Sequence, residues 1–134
     1  ARTSLILNEE GDILAYFTLS FKELVLDCEL VSKNKIKKMD GFSKSSDKIR
    51  AFLLGQIGKN SSIENNPLTL ETILIDVYSA ISEARKIIGG RIIVLECEDN
   101  ERLISLYQEQ GFSTLKTTDT SDDLITMYTY VTEV

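Results

Sequence analysis

The side chains able to do chemistry crowd into one stretch of the chain. Glu96, Cys97, Glu98 and Asp99 follow each other at the end of an apolar run, and Asn100 and Tyr107 come next, seven residues apart. On an extended strand Glu96 and Glu98 share one face and Cys97 takes the other. The 134 residues include no histidine. That excludes His-based triads and general bases, and nearly every zinc or non-haem iron site. Without a histidine or an obvious cation to lower its pKa, Cys97 reads as a packed thiol rather than a nucleophile. Tyr107 stands at helical spacing from Leu103 and Ile104, the usual pattern of a core aromatic. Asn100 stands where a helix cap is expected. A second resource is main-chain: the short apolar strand Ala51–Gly58 carries Gly55 and Gly58. Glycine inside a strand marks a bulge or a ligand close to the backbone.

Composition narrows the field. The length suits one domain, residues 1–134, and 43% apolar with 27% charged residues is ordinary globular composition. Cys28 and Cys97 are too few for a disulfide framework or a structural zinc site, which suggests a bacterial or other cytoplasm. No apolar run reaches the roughly 18 residues of a membrane span, and no signal-peptide pattern opens the chain. A membrane is therefore not an expected partner. The net charge is -6, unevenly spread. Lys33, Lys35, Lys37, Lys38, Lys44, Lys48 and Arg50 face only Asp40 and Asp47, so this segment is +5 and the remainder -11. That argues against a whole-surface nucleic-acid binder, DNA included, and leaves room for one local phosphate-contacting loop.

The elements that must position these residues follow from periodicity. Thr3 to Leu7 reads as a strand, turned at Glu9-Glu10-Gly11-Asp12 into a long strand Ile13 to Leu26. Alternation places Ile13, Ala15, Phe17, Leu19 and Phe21 on one face, and Leu14, Tyr16, Thr18 and Ser20 on the other. Ser32 to Ser46 reads as a polar loop. Asn66-Pro67 reads as a helix start, Asn as the cap and Pro as the first helical residue. The stripe Leu70, Ile73, Leu74, Val77, Tyr78, Ile81, Ala84 and Ile88 continues it to Gly89-Gly90. Strand Arg91 to Cys97, a helix from about Asp99 to Gln110, and strands near Phe112 to Lys116 and Leu124 to Val131 complete the chain. The order βββ-α-β-α-ββ predicts an α/β protein with a mixed sheet and helices packed on it.

In this order, the segment Ala51 to Phe112 resembles the core of the GNAT acyltransferase superfamily. The family signature N-x6-Y-x3-G-F is matched by Asn100, Tyr107, Gly111 and Phe112. The resemblance implies a bulged strand, here Leu53 to Lys59, splayed from Ile92 to Cys97 around acetyl-coenzyme A. Gln56, Ile57 and Gly58 would pair with its pantetheine, the Ile57 or Gly58 amide would polarise the thioester carbonyl, and Asn100 would be a further hydrogen-bond partner. Pyrophosphate would lie on the amides of Leu68, Thr69 and Leu70, at a helix N-terminus. There the family's Q/R-x-x-G-x-G/A is replaced by Asn65-Asn66-Pro67-Leu68-Thr69-Leu70, which has neither glycine.

The resemblance also assigns Tyr107 as the acid that protonates the leaving thiolate, a sensible match for a phenol of ordinary pKa near 10. No carboxylate lies on Ala51–Gly58, so the base falls to Glu96 or Glu98, or to water. That favours an acceptor with a low pKa, such as an α-amine. The implied activity is acetyl transfer by direct attack onto a primary amine of a small molecule, a protein or a charged tRNA. A binding module of the same fold and a toxin-like acetylation of aminoacyl-tRNA are the alternatives. Family members usually carry a first strand and one or two helices before the hairpin that opens here, so the chain reads as shortened at its N-terminus. A homodimer that completes the acceptor cleft is left open.

Overall fold

The computed structural model describes residues 2–26, 31–40, 48–116 and 123–131. Cys28 and Lys44 lie outside them. The described elements are β1 (Arg2–Leu7), β2 (Ile13–Val25), α1 (Lys33–Met39), β3 (Lys48–Lys59), α2 (Leu70–Ile88), β4 (Ile92–Glu98), α3 (Glu101–Glu109), β5 (Ser113–Thr114) and β6 (Leu124–Tyr130). The strands form one mixed sheet in the order β1-β2-β3-β4-β6-β5. The expected order holds, with one helix added. No helix among the described residues is long and apolar enough to cross a membrane. The chain divides into two compact units, Ala1–Ser20 with Leu54–Gly89, and Phe21–Leu53 with Gly90–Val134.

In the first unit, the Asn8 side chain builds the hairpin turn. Its Oδ1 accepts from the amides of Glu10 and Asp12, and Gly11 takes φ +88°. The register runs Thr3 to Thr18, Leu5 to Tyr16 and Ile6 to Ala15, then slips so that Leu7 faces Ile13. This bulge adds Leu14 to one strand. Leu14 and Ala15 are therefore both buried, while Ile13 and Tyr16 share the exposed side with Leu5 and Leu7. Strict alternation put Ile13 on the Ala15 side, and the slip reverses that. Helix α2 buries Ile73, Leu74, Val77 and Ile81, the stripe that its period foretells. Its start lies three residues later than expected. Thr69 caps it, with reciprocal bonds between the Thr69 and Thr72 side chains and each other's amides. A capping box satisfies two orphan donors at once, and Asn66 is bound elsewhere.

In the second unit, Ser32 to Met39 departs from the expected loop. Ser32 Oγ accepts from the Lys35 amide at 3.2 Å, the Asp40 amide closes on the Ile36 carbonyl, and Ile36 and Met39 are buried. These two join Leu26, Val31, Ile49, Ala51, Ile92, Val94, Leu115 and Tyr128 in the core. Asp40 is buried as a carboxylate bound by Arg50, whose Nη2 donates at 3.1 Å and whose amide also donates at 3.1 Å. Strands β4 and β6 pair antiparallel from Ile92–Tyr130 to Glu98–Leu124. The pairing sets Ile92, Val94, Glu96 and Tyr128 on one face and Ile93, Leu95, Cys97 and Met127 on the other.

Candidate functional site

The predicted site residues divide between the two units. In the first, the glycines of β3 are fitted to side chains of β2. The Gln56 amide donates to Thr18 Oγ1 at 2.8 Å, and a Cβ on Gly55 would stand 2.9 Å from that same oxygen. A Cβ on Gly58 would fall on the Tyr16 ring. Gly58 also lines a pocket of about 180 Å³ with Ile57, Lys59, Leu70 and Ile73. Its walls are the end of β3 and the first turn of α2: three aliphatic side chains, a half-buried glycine and one lysine. Such a wall suits an alkyl-amide arm with an anionic end.

The amides assigned to pyrophosphate are only partly available. Leu68 N–H donates to Asn66 Oδ1 at 3.2 Å, and Thr69 N–H to Thr72 Oγ1 at 2.8 Å. The amides of Leu70 and Glu71 keep the orphan character of a first helical turn. The loop makes its turn without glycine because Asn65 takes φ +56°, a conformation asparagine tolerates better than most residues. Asn60 and Asn66 were not read as loop builders from sequence. Their Nδ2 groups donate to the β2 carbonyls of Ile13 at 2.7 Å and Leu14 at 2.8 Å. Two asparagines flanking a glycine-free loop were the available signal.

In the second unit, α3 holds Tyr107 by both ends. Asn100 Oδ1 accepts from the Arg102 and Leu103 amides at 3.0 and 3.2 Å. At the other end the Tyr107 carbonyl accepts from the amides of Gln110 and Phe112, and Gly111 takes φ +92°. Tyr107 is 7% exposed, its ring edge-on to Phe112 at 5.8 Å. Every residue of N-x6-Y-x3-G-F thus has a local structural task besides any chemical one. Burial raises the Tyr107 phenol above its ordinary pKa, and the Cys97 thiol adds to the rise. The hydroxyl is therefore protonated across physiological pH. Burial also raises Cys97, with Asp99 contributing, which keeps it an unreactive thiol. Glu96 is exposed and lies on the face of β4 opposite Cys97.

Helix α1 sets two lysines against tyrosines of β6. The Lys35 ammonium lies 5.2 Å from the Tyr128 ring centre and Lys38 5.6 Å from that of Tyr130, within cation–π range. Arg91 joins them by donating to the Lys38 carbonyl.

No family model matches the chain, and neither does any curated protein sequence. Solved structures do. A crystal structure of a bacterial toxin matches 96% of the chain and 66% of its own, with a TM-score of 0.69 and 15% identity. AtaT complexed with acetyl-methionyl-tRNAfMet matches 96% of this chain and 70% of its own, TM-score 0.68, identity 20%. AtaTR bound with AcCoA matches 97% and 70%, TM-score 0.65, identity 19%. The chain thus has the GNAT fold, shared with these toxins. It spans about two thirds of the length of the structures it matches.

Proposed function

We propose that the chain is an N-acetyltransferase that moves acetyl from acetyl-coenzyme A onto a primary amine in the bacterial cytoplasm, the amine being the α-amino group of an aminoacyl-tRNA. The observation that carries this reading is Tyr107. It is buried, kept protonated, and fixed at both ends of α3 by the residues of the N-x6-Y-x3-G-F signature. The GNAT fold shared with AtaT, solved with acetyl-methionyl-tRNAfMet, supports the substrate class.

Acetyl-coenzyme A supplies an activated acetyl thioester. Ile57, Gly58, Leu70 and Ile73 would hold the carrier arm, and Lys59 with the Leu70 and Glu71 amides would hold phosphate. The incoming nitrogen forms its bond to the carbonyl carbon as the carbon–sulfur bond breaks. Tyr107 Oη–H would supply the proton that the departing sulfur takes up, and the amine's surplus proton would pass to water. An α-amine with ordinary pKa near 7.7 needs little help to be neutral, in keeping with a β3 that has no carboxylate. The internally bonded Leu68 and Thr69 amides favour a second reading, a GNAT-fold interaction module.

The test is transfer of labelled acetyl to charged tRNA, compared with a free amino-acid ester. Wild-type chain prefers the charged tRNA. Changing Lys35, Lys37 and Lys38 together to Glu lowers that use by about tenfold or more, and flattens the slope of log affinity against log salt by about one per lysine. Equal use of both acceptors, or a salt slope the triple variant leaves unchanged, rejects the tRNA assignment. Acetyl-coenzyme A that gives no heat at millimolar concentration selects the interaction module.

A further inference from the structure

The pocket walls in the first unit are the two residues stretches that flank one loop. Lys59 ends β3, Leu70 begins α2, and residues 60–69 join them. Whatever fixes this loop fixes the separation of the walls. Two asparagines do so with side chains. The Leu14 carbonyl, beside the bulge of β2, accepts from the Asn60 main-chain N–H and from the Asn66 side-chain Nδ2, both at 2.8 Å. Asn66 Nδ2 also reaches the Asn60 carbonyl at 3.2 Å, while its Oδ1 takes the Leu68 amide. Asn60 completes the tie through Nδ2 to the Ile13 carbonyl, and its Oδ1 holds Ser62. One asparagine amide thus joins three parts of the unit: the bulge, the loop entry and the approach to α2.

We infer that Asn60 and Asn66 are positioning residues, and that their side-chain ties to the Ile13 and Leu14 carbonyls set the separation of the pocket walls for a coenzyme A arm. This rests on the acetyltransferase reading and adds to it. A loop built on glycines takes its shape from backbone freedom. Here the shape comes from side-chain hydrogen bonds to β2, so the pocket is tied to a strand outside its own walls. Asn66→Ala removes the bonds to Leu14, Asn60 and Leu68 together. Asn66→Asp keeps the side-chain size and the acceptor for Leu68 but loses both amide donations.

Both variants are measured against wild type for coenzyme A affinity by calorimetry, for KM and kcat, and for amide hydrogen exchange in residues 60–69. Both are expected to raise Kd and the KM for acetyl-coenzyme A by about tenfold, with kcat within about twofold and faster exchange confined to the loop. In Asn66→Asp the Leu68 amide stays protected. A general loss of structure would instead lower kcat and protection everywhere. If Asn66→Ala does not fold, Asn66→Asp decides. A folded variant with wild-type Kd, when wild type binds, overturns the positioning role alone. Wild-type chain that binds no coenzyme A overturns the acetyltransferase reading, and this role with it.

Discussion

At Gly58 a single hydrogen atom separates a workable strand from a collision. Tyr16 from β2 occupies the space a Cβ would need, and Thr18 does the same at Gly55. The glycines that looked from sequence like openings for a ligand are therefore also sockets for two side chains of the neighbouring strand. Gly58→Ala should destabilise the fold by about 1 kcal/mol, since the exposed Tyr16 ring must swing aside. In a Tyr16→Ala background much of that cost should vanish, because the two residues compete for one volume. Denaturant titration of the four chains checks this, and strictly additive costs would contradict the packing account. Which residues lay opposite the glycines was hidden in the sequence. The slip between Ile6 and Leu7 reverses the phase of Ile13 relative to Tyr16, and alternation by itself carries no sign of a bulge.

Among the elements, α2 and α3 could be read from sequence and α1 could not. Helix α2 carries four buried apolar residues at spacings of three and four, enough repeats to set a period. Helix α1 has Ile36 and Met39 among lysines, one interval only, and one interval cannot be told from chance. Its determinants are the Ser32 cap and burial against the core, and burial is known only once the core exists. The start of α2 was misplaced for a related reason. Asn66-Pro67 has the chemistry of a helix start, but the Thr69–Thr72 box and the tie of Asn66 to Leu14 outcompete it. Helix α3, by contrast, begins within two residues of the expected Asp99, with Asn100 as its cap. Asn100→Ala leaves the Arg102 and Leu103 amides without their acceptor and should cost about 1 kcal/mol, read as a lower unfolding midpoint. Asn100→Asp keeps the cap and should stay near wild type. If both variants lose the same stability, the cap is not what Asn100 contributes.

For the molecule as a whole, the order of elements and the fold were written in the pattern of hairpin, crossover and signature residues. The chemistry was less legible. Of the basic segment, Lys35 and Lys38 stand over the rings of Tyr128 and Tyr130, an arrangement no count of charges foretells. Glu96, a candidate base by spacing, is exposed on the face of β4 opposite Cys97, and the residue on which the proposed chemistry rests is Tyr107. The most direct measurement is therefore release of free thiol from acetyl-coenzyme A, with and without amine acceptor, by wild type and Tyr107→Phe from pH 6 to 10. Release by wild type should require acceptor. Its rate should climb as the amine loses its proton, and no fall from Tyr107 should appear below about pH 10, since burial raises the phenol above that ordinary value. Tyr107→Phe should lower kcat by about a hundredfold with KM within about threefold. Thiol release by Tyr107→Phe at the wild-type rate, or none from wild type with any acceptor, would contradict the account.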